Sequence, residues 1–292
     1  MKLLLWLIVA IVVLVLVFLG LSAYGAKKWS EVSEKLTQSL EAGRLEPSKQ
    51  PLLKMRYDAK ELEGLPAPVQ KYFRTVLKDG QTIVSSTTLS MSGNINMSTT
   101  SEQWKPFTSV QHVVTRRPGF IWDARIEMFP SIEVRVIDSY VTGNGLLHAA
   151  VLGLFTVANV SGGGEIAKAE FMRYFAEAVW YPTALLPSQG VKWQAVDSTS
   201  ANATIVDGPL TITLLFRFNE SGLIDSFRAE ARNATGVGDE PISLPWEGRF
   251  SNYQDHDGMK IPFAGEVAYM RPSGRETYFR GQVSSLHYTY HP

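Results

Sequence analysis

Three hydrophobic rhythms follow one another along the chain. Residues 3–21, "LLLWLIVAIVVLVLVFLGL", are apolar without interruption. As a helix they rise about 28 Å, close to the ~30 Å hydrocarbon thickness of a bilayer. Signal-peptide cores run only ~7–15 residues, so this length favours an uncleaved anchor over a signal removed after Gly25 in "SAYGA". The second rhythm is helical. "WSEVSEKLTQSLEAG" spaces Val32, Leu36 and Leu40 one turn apart and predicts a juxtamembrane helix stopped at Gly43. Pro47 and Pro51 break that pattern. A further helix is expected from Pro66 or Pro68 to Leu77, with Val69, Tyr72, Phe73 and Val76 as its apolar stripe.

Beyond residue 82 the period drops to two. "FIWDARIEM" puts Phe120, Trp122, Ala124, Ile126 and Met128 on one face and Asp123, Arg125 and Glu127 on the other, as a half-buried strand requires. "IEVRVIDSYV" continues less cleanly. Strand patterns return in "LTITLLFRF", "LIDSFRAEA", "GRFSNYQ", "KIPFAGEVAYM" and "TYFRGQVSSLHYTY". "NESG", Asp257-Gly258 and Ser273-Gly274 suit tight reversals between them. Short strands with short links predict an antiparallel meander rather than βαβ units. The chain therefore divides into an anchor over 1–26, a juxtamembrane helix and linker over 27–64, and a β-rich domain over 65–292.

One helix interrupts the strands, over 166–180. Ile166, Glu170, Arg173, Tyr174, Glu177 and Tyr181 recur at spacings of three and four on one broad face, while Phe171, Phe175, Ala178 and Val179 cover much of the rest. A helix this apolar around its circumference is expected inside a curved sheet. There Arg173 would stabilise Glu170 and Glu177 by charge-assisted hydrogen bonds. Trp180-Tyr181-Pro182 ends the helix, because proline lacks the amide that would continue it. The expected architecture is α+β: a transmembrane helix, then a curved, mostly antiparallel sheet packed on a long helix. The alternative is a two-sheet β-sandwich with the helix at its edge.

Charge and composition narrow the chemistry. With 28 basic and 28 acidic residues among 292, no global field favours nucleic acid. The absence of cysteine excludes disulfides and thiolate–metal sites. His287 and His291 have the spacing of a helical metal pair but lie in an alternating segment, where that spacing does not join them. Ser161 and Ser188 sit in no nucleophile elbow, and Gly162-Gly163-Gly164 lacks the lysine and spacing of a phosphate cradle. No metal and no cofactor are expected. Lys2 opposes Lys27 and Lys28 across the span, so the flanks are nearly balanced. The frequency of single N-terminal anchors with external domains places the soluble part outside the cytoplasm of a single-pass protein.

Several pieces resemble a family of uncharacterised, mainly bacterial, proteins with one N-terminal membrane segment. They are "LPAPVQKYFRTVLKDGQ", "WKPFTSVQ", "PGFIWDARI", "MRYFAEAVWYPTALLPSQGVKW", "PWEGRFSNYQDHDGMKIPFAGEVAY" and "YFRGQV". That family supplies no activity to carry over. The segment "FSNYQDHDGMKIPFAGEVAY" also resembles a hairpin of the periplasmic lipoprotein-carrier fold, a half-barrel that wraps helices and can hold acyl chains. This resemblance implies a similar fold here.

These readings point to a tethered domain that binds a lipid or another elongated apolar molecule. Its partners would be the bilayer, through residues 3–21, and that ligand. Trp122, Tyr174, Trp180, Tyr181, Leu185, Leu186 and Trp246 are the candidate walls, with Arg173 and Arg249 placed to orient a polar head. Asp123, Glu170, Glu177 and Glu247 form the candidate polar cluster, if Glu247 and Arg249 point inward rather than onto a solvated sheet face. Two alternatives stand beside this: an enzyme using Glu170 or Glu177 as general acid and base, and a scaffold for protein contacts.

Overall fold

In the computed structural model, which describes residues 2–44, 54–98, 101–235 and 241–290, the first two rhythms form one helix, α1 (Lys2–Ala42). The expected anchor and juxtamembrane helices are thus continuous. Gly43 stops α1, its amide donating to Ser39 O at 3.0 Å. A side chain there would meet Thr142 Cγ2 at 2.3 Å, so the helix end is pressed against the domain. Pro47 and Pro51 lie outside the described residues. The next predicted helix is α2 (Ala67–Val76), whose stripe of Val69, Tyr72, Phe73 and Val76 is buried.

Two strands precede "FIWDARIEM", the first segment singled out by its alternation. β1 (Ser86–Asn96) and β2 (Trp104–Val114) precede β3 (Gly119–Phe129), β4 (Ile132–Val141), β5 (Asn144–Val151) and β6 (Phe155–Gly162). Then come α3 (Gly164–Ala176) and three short 3-10 turns, Glu177–Trp180, Pro182–Leu185 and Pro187–Gln189. The predicted 166–180 helix therefore tightens from Glu177 onward. The chain continues through β7 (Lys192–Ala195), β8 (Ser200–Asp207), β9 (Leu210–Phe218), β10 (Ile224–Thr235), β11 (Pro241–His256), β12 (Met259–Arg271) and β13 (Gly274–Thr289).

All thirteen strands form one antiparallel sheet in the order β6-β5-β4-β3-β2-β1-β13-β12-β11-β10-β9-β8-β7. The two-sheet sandwich is thereby excluded. Two meanders meet where β1 pairs with β13, Leu89 facing Leu286. The sheet is open, since β6 and β7 do not pair with each other. It is strongly curved: Tyr140 on β4 donates to Asp207 at the end of β8, 2.6 Å away, although many strands separate them. α3 lies inside the curve, touching β3 to β6 on one side and β9 and β10 on the other.

The second half of α1 covers the outer face. Trp29 and Leu40 pack there on Val114, Ile121, Ile137 and Ala150 as a separate apolar cluster. Ile121 and Ile137 are wholly buried on a face that would otherwise be wet. Residues of α1 up to Tyr24 remain almost entirely exposed, as an apolar helix long enough to cross a membrane requires.

Candidate ligand cavity and its charged wall

α3 and the turns after it fill only part of the concave space. Beside them remains a cavity of about 750 Å³, lined by inward side chains of β1, β3 to β6 and β10 to β13. Its surface is mostly aliphatic and aromatic; Trp122, Ile126, Val136, Leu147, Trp246 and Phe250 are representative. This size lies within the usual ~300–1,000 Å³ range of small-molecule sites. Asp138 and Ile132 both line it from β4, six positions apart, which is roughly 20 Å along a strand. The cavity is long rather than round.

Apart from Glu266 on β12, which pairs with Arg275, charge is confined to the wall made by α3 and its neighbours. Arg173 donates through Nε to Glu177 Oε1 at 2.8 Å and through Nη1 to Asp138 Oδ2 at 2.7 Å. Its guanidinium also lies over the Trp122 ring, 4.6 Å from the centroid. Gln111 Nε2 donates to the second oxygen of Glu177 at 2.6 Å. Glu170 takes a different partner from the one its spacing suggested: Arg232 on β10 lies 3.8 Å from its Oε1. Arg232 in turn donates to the Tyr269 hydroxyl at 2.7 Å and stacks over Trp246 at 4.5 Å.

This wall holds three carboxylates against two guanidinium groups, all largely buried. Burial, reinforced by the neighbouring Asp138 charge, pushes the Glu170 carboxyl up to about 8, against the pull of Arg232 and Arg173. Burial raises Asp138 as well, with Arg173 opposing. A protonated Glu170 balances the wall at neutral pH and gives it an O–H donor. Glu170 Oε2, Asp138 Oδ1 and Arg232 Nε are buried without a hydrogen-bond partner among the described residues. Unpaired polar atoms of this kind are costly in a core but suit a polar end group of a ligand.

The predicted residues fall into three places. Trp122, Arg173, Trp180, Trp246, Glu170 and Glu177 line the cavity together. Trp180 is fixed by donation from Nε1 to Pro262 O at 2.9 Å. Tyr174, Tyr181, Leu185 and Leu186 are buried but pack within the solid core instead, the Tyr181 hydroxyl donating to Tyr174 O at 2.7 Å. The remaining three face outward. Asp123 accepts from Trp29 Nε1 of α1 at 3.0 Å, on the face opposite Trp122. Glu247 and Arg249 have the parity opposite to Trp246 and pair with each other, with Arg275 also on Glu247. Asp138 and Arg232 were absent from the sequence reading. Among the described residues no group of His, Asp or Glu is arranged to hold a metal ion.

A family model described as a family of unknown function (DUF6920) matches residues 63–288. The chain belongs to this family. No curated protein matches it. Among solved structures, it is similar to a putative outer membrane lipoprotein-sorting protein domain from Vibrio parahaemolyticus. Identity there is 10%, with a TM-score of 0.39 over 70% of this chain and 85% of that one. A LolA superfamily protein from Nitrosomonas europaea aligns at 13% identity and a TM-score of 0.32, covering 77% and 94%. A beta-barrel-like protein of a different domain of unknown function, from Brucella abortus, aligns at 7% and 0.22, covering 71% and 99%. These are weak likenesses of fold.

Proposed function

We propose that this is a membrane-anchored protein that binds a lipid or similarly elongated apolar molecule carrying a polar end group. The observation that carries the proposal is the cavity itself: a long apolar space of about 750 Å³ with five of its charged groups, Asp138, Glu170, Arg173, Glu177 and Arg232, gathered on the α3 wall. A hydrocarbon chain would lie along Ile126, Val134 and Val151, and its head would meet Glu170, Arg173 and Arg232. Anchoring is supported by the continuity of α1, in which the exposed apolar half runs without a break into the half clamped on the sheet by Trp29 and Leu40. The soluble domain is read as extracytoplasmic, a proposal that protease accessibility in intact cells would test.

The ligand is tested by native mass spectrometry of the full-length chain released from mild detergent micelles. A discrete adduct on the wild-type chain that is lost in the cavity-filling variant Ala149→Phe is the expected result. Ala149 lines the cavity on β5, so lipids held around α1 would be unaffected by this change. Absence of any adduct, or one indifferent to Ala149→Phe, would remove the ligand reading.

A further inference from the structure

The apolar end of the cavity and the apolar half of α1 lie at the same end of the molecule. Three strand reversals meet there. Phe129 pairs with Ile132 at the β3–β4 turn, Val151 with Phe155 at the β5–β6 turn, and Asn96 with Trp104 at the β1–β2 hairpin. Met97, Phe129, Ile132 and Val157, at or beside these turns, line the cavity. Phe129 is 63% exposed, Phe155 61%, Val157 61% and Met97 41%, a concentration of bare apolar side chains that a wet surface does not favour.

α1 supplies a ruler for their height. The carbonyl of Leu152 lies so close to Gly25 that a Cβ there would sit 2.0 Å from it, which presses the β5–β6 turn onto the helix at that level. Gly25 is four residues past Leu21, where the apolar run ends, or about 6 Å along the axis. The β3–β4 turn reaches lower still. Ser131, Ile132 and Glu133 share a cleft with Phe18 and Leu19, in the last turn of the apolar run, and with Ser22 just after it. Just above lies Lys28, over the Tyr24 ring at 5.2 Å, and Lys105 lies over the Phe129 ring of the β3–β4 turn at 5.3 Å; cations beside aromatic rings are what headgroup depth favours.

We propose that this rim is seated in the surface of the bilayer crossed by α1, so that the cavity opens into lipid rather than into water. The proposal builds on the anchored, ligand-binding reading and adds the source and route: the ligand is a lipid of that leaflet, entering between the turns with its polar end leading to the α3 wall. Its tail follows and stays along the apolar end of the cavity, beside the rim. Association costs little, because α1 already holds the rim at the correct depth and the clamp at Gly25 and Trp29 fixes its tilt.

The chain has no cysteine, so one introduced cysteine carries a nitroxide label at a unique site. Full-length Phe155→Cys and Asn144→Cys proteins, neither altered at a cavity-lining residue, are labelled and reconstituted in phosphatidylcholine vesicles. Asn144 is exposed beside the β4–β5 turn, where Thr142 meets Gly43, about 30 Å further along α1 than Ser22. The expected result is a ratio of oxygen to water-soluble nickel-complex accessibility several-fold higher at 155 than at 144, with both proteins melting alike. Equal, water-like ratios overturn the proposal. So does a label at 155 shielded from both reagents, since a second copy of the chain would then cover the rim. The two readings fail separately. A water-like label at 155 with the Ala149-sensitive adduct still present removes only the docking, whereas an immersed label without the adduct removes the ligand and leaves the docking.

Discussion

The space inside the curved sheet has a packed half and a cavity half, and both are lined with the same kinds of residue. In the packed half, α2 and the 3-10 turns press Tyr72, Phe73, Tyr181, Leu185 and Leu186 against Phe216 and Phe218. In the cavity half, Trp122, Leu147, Trp246 and Phe250 present equally apolar surface around open space. Trp180 and Tyr181 are neighbours in sequence yet stand on opposite sides of the divide. Apolar character therefore does not distinguish wall from filler. What differs is whether the chain returns to cover the surface, as α2, α3 and the segment 177–189 do in the packed half.

The charged wall stands where the two halves meet, and it carries the largest expected effect. Arg173→Ala strips Asp138 and Glu177 of their shared guanidinium in a buried place and is expected to destabilise by about 3–5 kcal/mol. Chemical denaturation of the full chain measures it. A loss below about 1 kcal/mol would mean that water reaches the wall and that the boundary is not dry.

Next come the aliphatic truncations, which contrast the halves directly. Leu185→Ala in the packed half should cost roughly 2–5 kcal/mol, because close-packed neighbours surround a side chain with no exposure. Leu147→Ala in the cavity half should cost about 1 kcal/mol, since one side of that residue already faces open space. Equal losses at the two sites would show that the cavity collapses in solution.

Much of this contrast lay beyond the sequence for identifiable reasons. The 166–180 helix and the α2 stripe were legible because each shows one uninterrupted period. "IEVRVIDSYV" read poorly because α1 buries Ile137 and Val141 on the outer face while Val134 and Val136 face inward, so the alternation that marks a half-wet strand is lost. That irregularity hid Asp138. Arg232 was hidden by a register shift between Ala229 and Arg232, which breaks the strict parity of β10. Glu247 and Arg249 lie on the face opposite Trp246, where Arg228, Arg249 and Arg275 surround the Glu247 carboxylate. β1 was overlooked because its inward Thr87, Leu89 and Met91 are set among serines, asparagines and a glycine.

Protonation separates the halves more gently. Between pH ~4.5 and ~8 the folded chain holds a proton on Glu170 that the unfolded chain has released, the folded value being about 8. Raising the pH through that window therefore favours unfolding, and stability should fall by at most about 5 kcal/mol before levelling off above it. Asp138, also raised, acts in the same direction. Glu170→Gln should flatten the slope, whereas a change confined to the packed half should leave it intact. A wild-type stability that rises across this window would contradict a protonated Glu170 in the wall.

The smallest stability effect is expected from enlarging a residue, and it gives the comparison its clearest form. Ala203 on β8 is fully buried in the packed core, and a phenyl group there has no room. Ala203→Phe should cost about 1–3 kcal/mol through overpacking. Ala149→Phe adds the same atoms on β5 beside the cavity, where they enter space that the fold leaves open. New apolar contacts there offset the loss of rotamer freedom, so the change should stay within about 1 kcal/mol. Binding should respond in the opposite order. Ala149→Phe occupies the space a hydrocarbon chain would take and should abolish the adduct, while Ala203→Phe, for as long as it remains folded, should retain it. If Ala149→Phe destabilised as strongly as Ala203→Phe, the two halves would be equally full in solution and the cavity could not serve as a binding site.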